Sequence, residues 1–202
     1  MLKIQKFKLS RRLVLLAGAL TLALPQLATA QSWPTKPIKL VIPFAAGGTT
    51  DILGRLLAQQ LTKDLGQNVI VENKGGAGGT VGAAAAAKMA PDGYTWLLGA
   101  VHHSIAPSMY TNLSYDITKD FEPIAIIGSV PHVIVVNPSK FPKNDLKSII
   151  EEIRKHPGKY NYASTGNGTS QHLTGELFKM QNKLFITHIP YKGAGDAIRG
   201  VM

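Results

Sequence analysis

The sequence predicts an α/β protein of two lobes, each built on a parallel sheet. Three observations carry that prediction. Short apolar runs alternate with segments whose apolar residues recur every three or four positions, the rhythm of strand, helix, strand. The runs are bounded by Gly/Pro-rich punctuation, at Gly66, Pro91-Asp92-Gly93 and Pro157-Gly158. Three turns rich in Gly, Ser and Thr each follow a strand and precede a helix, the connection that parallel strands with right-handed crossovers require.

Residues 1–30 stand apart. Lys3, Lys6, Lys8, Arg11 and Arg12 form a basic start, Leu13–Leu24 is apolar but short for a bilayer, and Ala28-Thr29-Ala30 is a small-residue cleavage site. This is the pattern of a secretory signal peptide with the mature chain starting at Gln31. Ser10-Arg11-Arg12 carries paired arginines, a pattern that twin-arginine signals share with ordinary export signals. The chain has a net charge of +10, and five of those charges lie in residues 1–30, so the rest carries a mild +5. That balance suits an anionic small molecule. Without a Lys/Arg stripe interleaved with aromatics, no nucleic-acid partner is expected. The absence of cysteine excludes disulfides, thiolate chemistry and a lipoprotein anchor.

In chain order, Ile38–Phe44 (IKLVIPF) reads as a buried strand. Ala45-Ala46-Gly47-Gly48 turns it into a helix that Thr49, Thr50 or Asp51 can cap, with Leu53, Leu56, Leu57, Leu61 and Leu65 on one buried face and Gly66 as its stop. Asn68–Glu72 is a second strand, Asn73–Gly79 (NKGGAGG) a second Gly-rich turn, and Thr80–Met89 an Ala-rich helix. Tyr94–Ala100 is a third strand. Val101–Lys119 reads as irregular, with a helical turn near Pro107–Tyr110. Two apolar runs, Pro123–Val130 and Val133–Asn137, are split by Pro131, so they read as a crossing between lobes rather than one long strand. Asp145–His156 is a helix with Leu146, Ile149, Ile150 and Ile153 on one face. Tyr160–Ala163 is a strand, Ser164–Ser170 (STGNGTS) a third small-residue turn, Gln171–Gln181 a helix and Phe185–Pro190 the last strand before Tyr191–Gly195 starts a further helix.

A strand-to-helix turn exposes unpaired backbone N–H groups at the positive end of a helix dipole, which is an anion site. In open parallel sheets such turns lie at the carboxyl ends of the strands, where ligands bind. Pro43–Arg55 can therefore be a tight bend alone or half of a carboxylate or phosphate site. Ser164–Ser170 offers hydroxyls, an amide and glycine N–H groups, more than one helix cap needs. Asp51 can cap its helix, pair with Arg55 at i+4, or meet a ligand. The spacing of Gly76, Gly78 and Gly82 is not that of a dinucleotide-binding loop, and no phosphate-binding P-loop occurs, so no nucleotide or other cofactor is expected. There is no Gly-x-Ser-x-Gly elbow. His172 follows the third turn and is expected to orient it by hydrogen bonding rather than act as a base. His102 and His103 are adjacent, so in an extended segment their side chains point apart. His132, His156 and His188 are isolated. No metal site is expected.

Six ordered blocks carry a closer likeness: PFAAGGTTDILGR, VENKGGAGGTVGA, DGYTWLLG, YDITKDFEPIAIIG, YASTGNGTSQHLTGE and IPYKGAGDAI. With them the chain, from Gln31 to Met202, resembles the Bug family, the extracytoplasmic solute receptors of tripartite tricarboxylate transporters. The resemblance implies a type II periplasmic-binding-protein fold: a signal peptide at 1–30, a first α/β lobe at 31–130, a second at 131–202, and a ligand cleft between them. It implies a periplasmic receptor that captures a small organic carboxylate without chemistry and delivers it to a membrane permease, and that is a monomer when complete. Family members run on for roughly a hundred residues more, so the chain is expected to be C-terminally truncated, with both lobes unfinished and apolar faces exposed. Carried onto this sequence, the ligand-binding residues are Phe44, Ala45, Gly47, Gly48 and Asp51, with Asn73 and Gly78 nearby. His103 and Ser104 approach the cleft. Ser164, Thr165, Gly166, Gly168, Thr169 and His172 face it from the second lobe, and Asp196 reaches the far end of the ligand. Two alternatives accompany this reading: an exported α/β hydrolase or transferase using Ser164 or Thr169 with His172, and a non-functional fragment of the receptor.

Overall fold

The structure is a computed structural model that describes residues 32–142 and 145–202. The expected signal peptide and its cleavage site lie outside the described residues. The fold below is that of residues 34–202.

Strand β1 (Ile38–Ile42) is the centre of the first sheet, flanked by β2 (Val69–Asn73) and β3 (Thr95–Leu97) in the order β2-β1-β3. All pairing is parallel, with Ile38 opposite Val69 and Leu40 opposite both Val71 and Trp96. A central parallel strand is covered on both faces, which is why its apolar residues run without alternation. Ile38, Leu40, Val41 and Ile42 are almost wholly buried. Each crossover is a helix: α1 (Thr49–Leu65) between β1 and β2, and α2 (Thr80–Ala87) between β2 and β3, entered through a 3₁₀ turn at Ala77–Gly79. After β3 comes α3 (His102–Met109).

A second parallel sheet pairs β4 (Asn161–Ser164) with β5 (Thr187–Pro190). It is flanked by α4 (Leu146–Lys155), α5 (Ser170–Asn182) and α6 (Ala194–Val201). Its core gathers Ile149, Ile153, Leu184 and Ile186, separate from the first core of Ile38, Leu40, Ile42, Ala58, Val69 and Leu98. Asp145 caps α4 by accepting from the Ser148 N–H at 2.8 Å. Gly66 ends α1 in the left-handed region, at φ 66°.

Three expectations need correction. The buried face of α1 is not the leucine stripe: Asp51, Gly54 and Ala58 are its buried residues, Leu61 and Leu65 pack at the core's margin, and Leu56 is 59% exposed. Small residues let the helix axis approach β1; a Cβ on Gly54 would lie 2.4 Å from Ile42 Cδ1. None of Thr49, Thr50 and Asp51 is the N-cap of α1, which is Gly48. Val101–Met109 is not irregular but contains α3, with Pro107 inside it.

Pro123–Val130 and Val133–Asn137 form no strand and join neither sheet. Most of their apolar side chains are exposed, Ile126 at 95%, while Val136 packs against the second core. Among the described residues no helix is long and apolar enough to cross a membrane.

Helix α2 leaves no room at Gly82. A Cβ there would lie 2.7 Å from the Lys74 carbonyl oxygen and 2.7 Å from Pro43 Cα, both backbone atoms that cannot swing away. Gly82→Ala gains helix propensity of about 1 kcal/mol. Overpacking against fixed backbone costs about 1–3 kcal/mol. We therefore expect a lower urea midpoint for Gly82→Ala; a midpoint above that of the parent chain would contradict this packing.

Candidate functional site

Parallel pairing puts the carboxyl ends of β1, β2, β4 and β5 at four turns, and the structure packs these turns against one another. Ala45 N–H donates to the Lys192 carbonyl at 3.4 Å. A Cβ on Gly193 would lie 3.0 Å from Ala45 Cβ, one on Gly48 3.7 Å from the Ala194 nitrogen, and one on Gly75 3.1 Å from the Ala45 nitrogen. Gly78 sits at φ 62°, and a Cβ there would lie 2.2 Å from the Asn167 carbonyl oxygen. A side chain at position 78 would thus be strained and would collide with the third turn. Tyr110 hydroxyl donates to the same Asn167 oxygen at 2.7 Å.

The first turn rests on a polar bracket. Asp51, in the first turn of α1, accepts from the Gly47 N–H at 2.8 Å, Arg55 Nε at 3.0 Å and Asn73 Nδ2 at 2.9 Å. Asn73 Nδ2 also donates to the Phe44 carbonyl at 3.1 Å, and Arg55 donates to Asn73 Oδ1 at 3.0 Å. Burial pushes the Asp51 carboxyl up, but the hydrogen bonds from Arg55, Gly47 and Asn73 outweigh it and hold the group below its ordinary 3.8. Of the roles open to Asp51, the Arg55 pair is present, and the carboxylate also ties down the turn.

The third turn is built by its own side chains. Thr169 is the N-cap of α5: its hydroxyl accepts from the His172 N–H at 3.4 Å and donates to the Gly166 carbonyl at 2.7 Å. Ser164 Oγ accepts from the Gly166 N–H at 3.1 Å. Thr165 Oγ1 donates to Gln171 Oε1 at 3.0 Å. His172 Nδ1 accepts from the Gly168 N–H at 3.2 Å, the orienting bond expected of it.

Beside these turns opens a trough of about 2800 Å³. Ordinary small-molecule sites hold roughly 300–1,000 Å³, so this is an open groove rather than a closed pocket. Thr49 and Thr50 at the start of α1, Ser170 and Gln171 at the start of α5, and Ala194 at the start of α6 all line it. The largely apolar stretch Ile124–Val136 lines it too. Four of the sequence-derived site residues reach it: His103, Ser104, Ser164 and Thr165. Helices α1 and α6 begin at Gly48 and Gly193, and neither has a side chain capping it. Thr49, Thr50 and Gln171 were not among the site residues read from the sequence; their place after a Gly- or Ser/Thr-rich turn was the signal available.

Other expected residues sit differently. Ser104 turns its hydroxyl back to the Val101 carbonyl at 2.6 Å. Asp196 pairs with Arg199 one turn along α6. The expectation that His102 and His103 diverge is wrong. They begin a helix rather than an extended segment, and both rings turn inward until their Nε2 atoms are 3.1 Å apart. Phe44 of the first turn meets His102 edge-on at 4.6 Å, and Gly79 of the second packs on its Nε2. His188, read as isolated, contacts Ser164 Oγ through Nε2 at 2.6 Å and stacks on His172 at 4.2 Å. The hydrolase alternative thus loses its geometry: Ser164 meets His188, while His172 accepts from the backbone.

With this geometry established, comparison with known proteins places the chain. A sequence profile of the family described as "Tripartite tricarboxylate transporter family receptor" matches residues 53–202. The chain belongs to that family. It is 42% identical over 193 residues to a UPF0065 protein of Bordetella pertussis, covering 95% of this chain and 58% of that one. It is 39% identical over 172 residues to protein BugT of the same organism, covering 84% and 52%. The Bug-family resemblance and the periplasmic-binding-protein fold are therefore borne out, and the family is one of solute-binding receptors, not enzymes. Among solved structures, one described as a periplasmic transporter has 45% identity and a TM-score of 0.80, covering 84% of this chain and 57% of that chain. Rpa4515 of R. palustris with adipate has 35% identity and a TM-score of 0.80, covering 84% and 56%. MatC of Rhodopseudomonas palustris with bound malate has 33% identity and a TM-score of 0.75, covering 84% and 57%. The chain spans 51–58% of the length of the curated relatives it matches.

The buried histidine pair behind the first two turns dictates a pH dependence. From an ordinary 6.5, burial brings His102 to about 3, with the adjacent His103 adding to the shift, and burial brings His103 to about 4. The unfolded chain takes up these protons first. The stability tied to the neutral pair is complete above pH 6.5 and is lost as pH falls toward about 4, at about 1.4 kcal/mol per pH unit for each ring. Urea midpoints measured across this range should fall with acidification. In His102→Phe the slope should be shallower by about half; an unchanged slope would show that the pair is not what titrates.

Proposed function

We propose that this chain carries the binding turns of a periplasmic receptor that captures a small organic carboxylate and hands it to the permease of a tripartite tricarboxylate transporter. The observation that carries this reading is the convergence of three helix starts, α1, α5 and α6, on one trough, two of them begun by glycine with no side-chain cap. Backbone N–H groups and positive dipole ends gathered from both sheets are complementary to a carboxylate. Two relatives in the family hold adipate and malate.

In this reading, residues 1–30 are an export signal cleaved after Ala30. A first lobe of residues 31–130 and a second of 131–202 close on the ligand, and the completed receptor is a monomer. Gly48 and the uncapped start of α1 at Thr49 and Thr50 supply backbone contacts, Ser164, Thr165 and Gln171 line the same groove, and Ala45, Gly47, Gly166 and Gly168, whose N–H groups bond within the protein, set the course of the turns. Phe44, Asp51, Asn73, Gly78, Thr169 and His172 shape the turns. His103 and Ser104 line the groove, and Asp196, in the first turn of α6, reaches the far end of the ligand.

Thermal unfolding of the chain with adipate, malate and an uncharged diol tests this. A carboxylate at a hundred times its Kd should stabilise the fold by about 2.7 kcal/mol, and the diol should do nothing. Gly48→Asp separates binding from folding. The position has extended backbone at φ −85° and room for a side chain, and Asp is a good N-cap. Its melting temperature should hold or rise. Its own carboxylate at the helix start should weaken acid binding by about tenfold or more, because like charges meet there. No shift with either acid, or undiminished binding in Gly48→Asp, would overturn the proposal.

A further inference from the structure

We infer that His172 and His188 are positioning residues for the third turn, two neutral imidazoles in opposite tautomers that together fix the Ser164 hydroxyl and the Gly168 N–H. The inference rests on the carboxylate-binding reading for its consequence, though not for its geometry. Tyr162 and Ser164 lie on one face of β4, and His188 stands opposite Tyr162 in the parallel register. The His188 ring stacks on Tyr162 at 4.8 Å and on His172, from α5, at 4.2 Å.

The hydrogen-bond accounting sets the protons. Gly168 N–H is a donor, so the His172 Nδ1 it meets carries no hydrogen, and a neutral His172 has its proton on Nε2. Ser164 has one hydroxyl hydrogen and two acceptors in reach, His188 Nε2 at 2.6 Å and the Gly166 carbonyl at 3.2 Å. The Gly166 carbonyl already accepts from the Thr169 hydroxyl at 2.7 Å and the Thr169 N–H at 3.3 Å. Those two donors fill the two lone pairs of the Gly166 carbonyl, so the Ser164 hydrogen goes to His188 Nε2, and a neutral His188 keeps its proton on Nδ1. The Ser164 oxygen is then free to accept from the Gly166 N–H. Each ring thus sets one of the two glycine N–H groups of the turn.

Protonation would undo both. A proton on His172 Nδ1 would face the Gly168 N–H, donor against donor. A proton on His188 Nε2 would turn the Ser164 hydroxyl round. The groups facing the pair are the Tyr162 hydroxyl, which donates to Glu176 at 2.7 Å, the Glu176 carboxylate itself, and Lys179, which pairs with that carboxylate at 2.7 Å. Glu176 favours the charged form of His188, while burial, His172 and Lys179 oppose it and win.

Imidazole nitrogen NMR shifts of the ligand-free chain test the geometry directly. We expect His172 protonated at Nε2, His188 at Nδ1, and a Gly168 amide signal that moves in His172→Ala and returns toward the parent position in His172→Asn. The reverse tautomers, or a Gly168 amide indifferent to His172→Ala, would overturn the inference. Binding of adipate and malate, followed by thermal shift against pH, tests the consequence. Affinity should fall on acidification, and His172→Ala and His188→Ala should each weaken it about five- to tenfold. His172→Asn and His188→Gln keep an acceptor in place and should restore most of the loss while flattening the pH profile. Conservative variants no better than the alanines, or as pH-sensitive as the parent, would also overturn the inference. Expected tautomers in a chain that binds neither acid would instead count against the carboxylate reading alone.

Discussion

Parallel pairing is the constraint from which the rest follows. A parallel strand must return by a crossover, and here each crossover begins at the carboxyl end of a strand with a turn into a helix. The turns of a sheet therefore gather at one edge, and every helix that follows them points its N-terminus the same way. β1 enforces this on the first sheet because it is paired on both sides and buried on both faces. β4 and β5 enforce it on the second. That the two edges then meet turn to turn depends on residues with no side chain at the points of approach: Gly78 would collide with the Asn167 backbone if enlarged, and Gly75 and Gly193 would be crowded against Ala45.

Electrostatics sorts the helix starts into two kinds. α4 and α5 are closed by their own side chains, Asp145 and Thr169. α1 and α6, which face one another through Gly48 and Ala194, are not. Two positive dipole ends brought together repel weakly, and an anion between them would remove that repulsion. Asp51 does not play that part. Its charge is spent on Gly47, Arg55 and Asn73, below the turn rather than in the trough. A carboxylate side chain supports the turn while the start of α1 keeps no side-chain cap.

How much of this the sequence discloses divides along a physical line. The strand–turn–helix order and the Gly66 stop are local, and local propensity suffices to find them. The α1 face was misread because close helix–sheet approach favours small residues, and Gly54 and Ala58 carry no hydrophobic signal equal to that of the leucines around them. Pro107 and the adjacent histidines hid α3. For the site, the backbone donors were legible as glycine turns. Which polar side chains serve the protein rather than a ligand was not, because it is decided by partners far along the chain: Asn73 for Asp51, His188 for Ser164.

That last distinction bears on how such a receptor can be selective. If backbone N–H groups hold a carboxylate, as proposed, the amino acids of the turns would matter less for what they touch than for how rigidly they aim the backbone. Behind the first and second turns stands a buried histidine pair, His102 and His103; behind the third stands a half-buried one, His172 and His188. Neutral imidazole suits this place. It packs as a flat ring, accepts or donates through either nitrogen, and adds no charge that would compete with the helix ends for the anion. A lysine or arginine there would bind the acid tightly whatever its shape. On the proposed reading, neutral rings would leave recognition to geometry and make that geometry conditional on staying unprotonated.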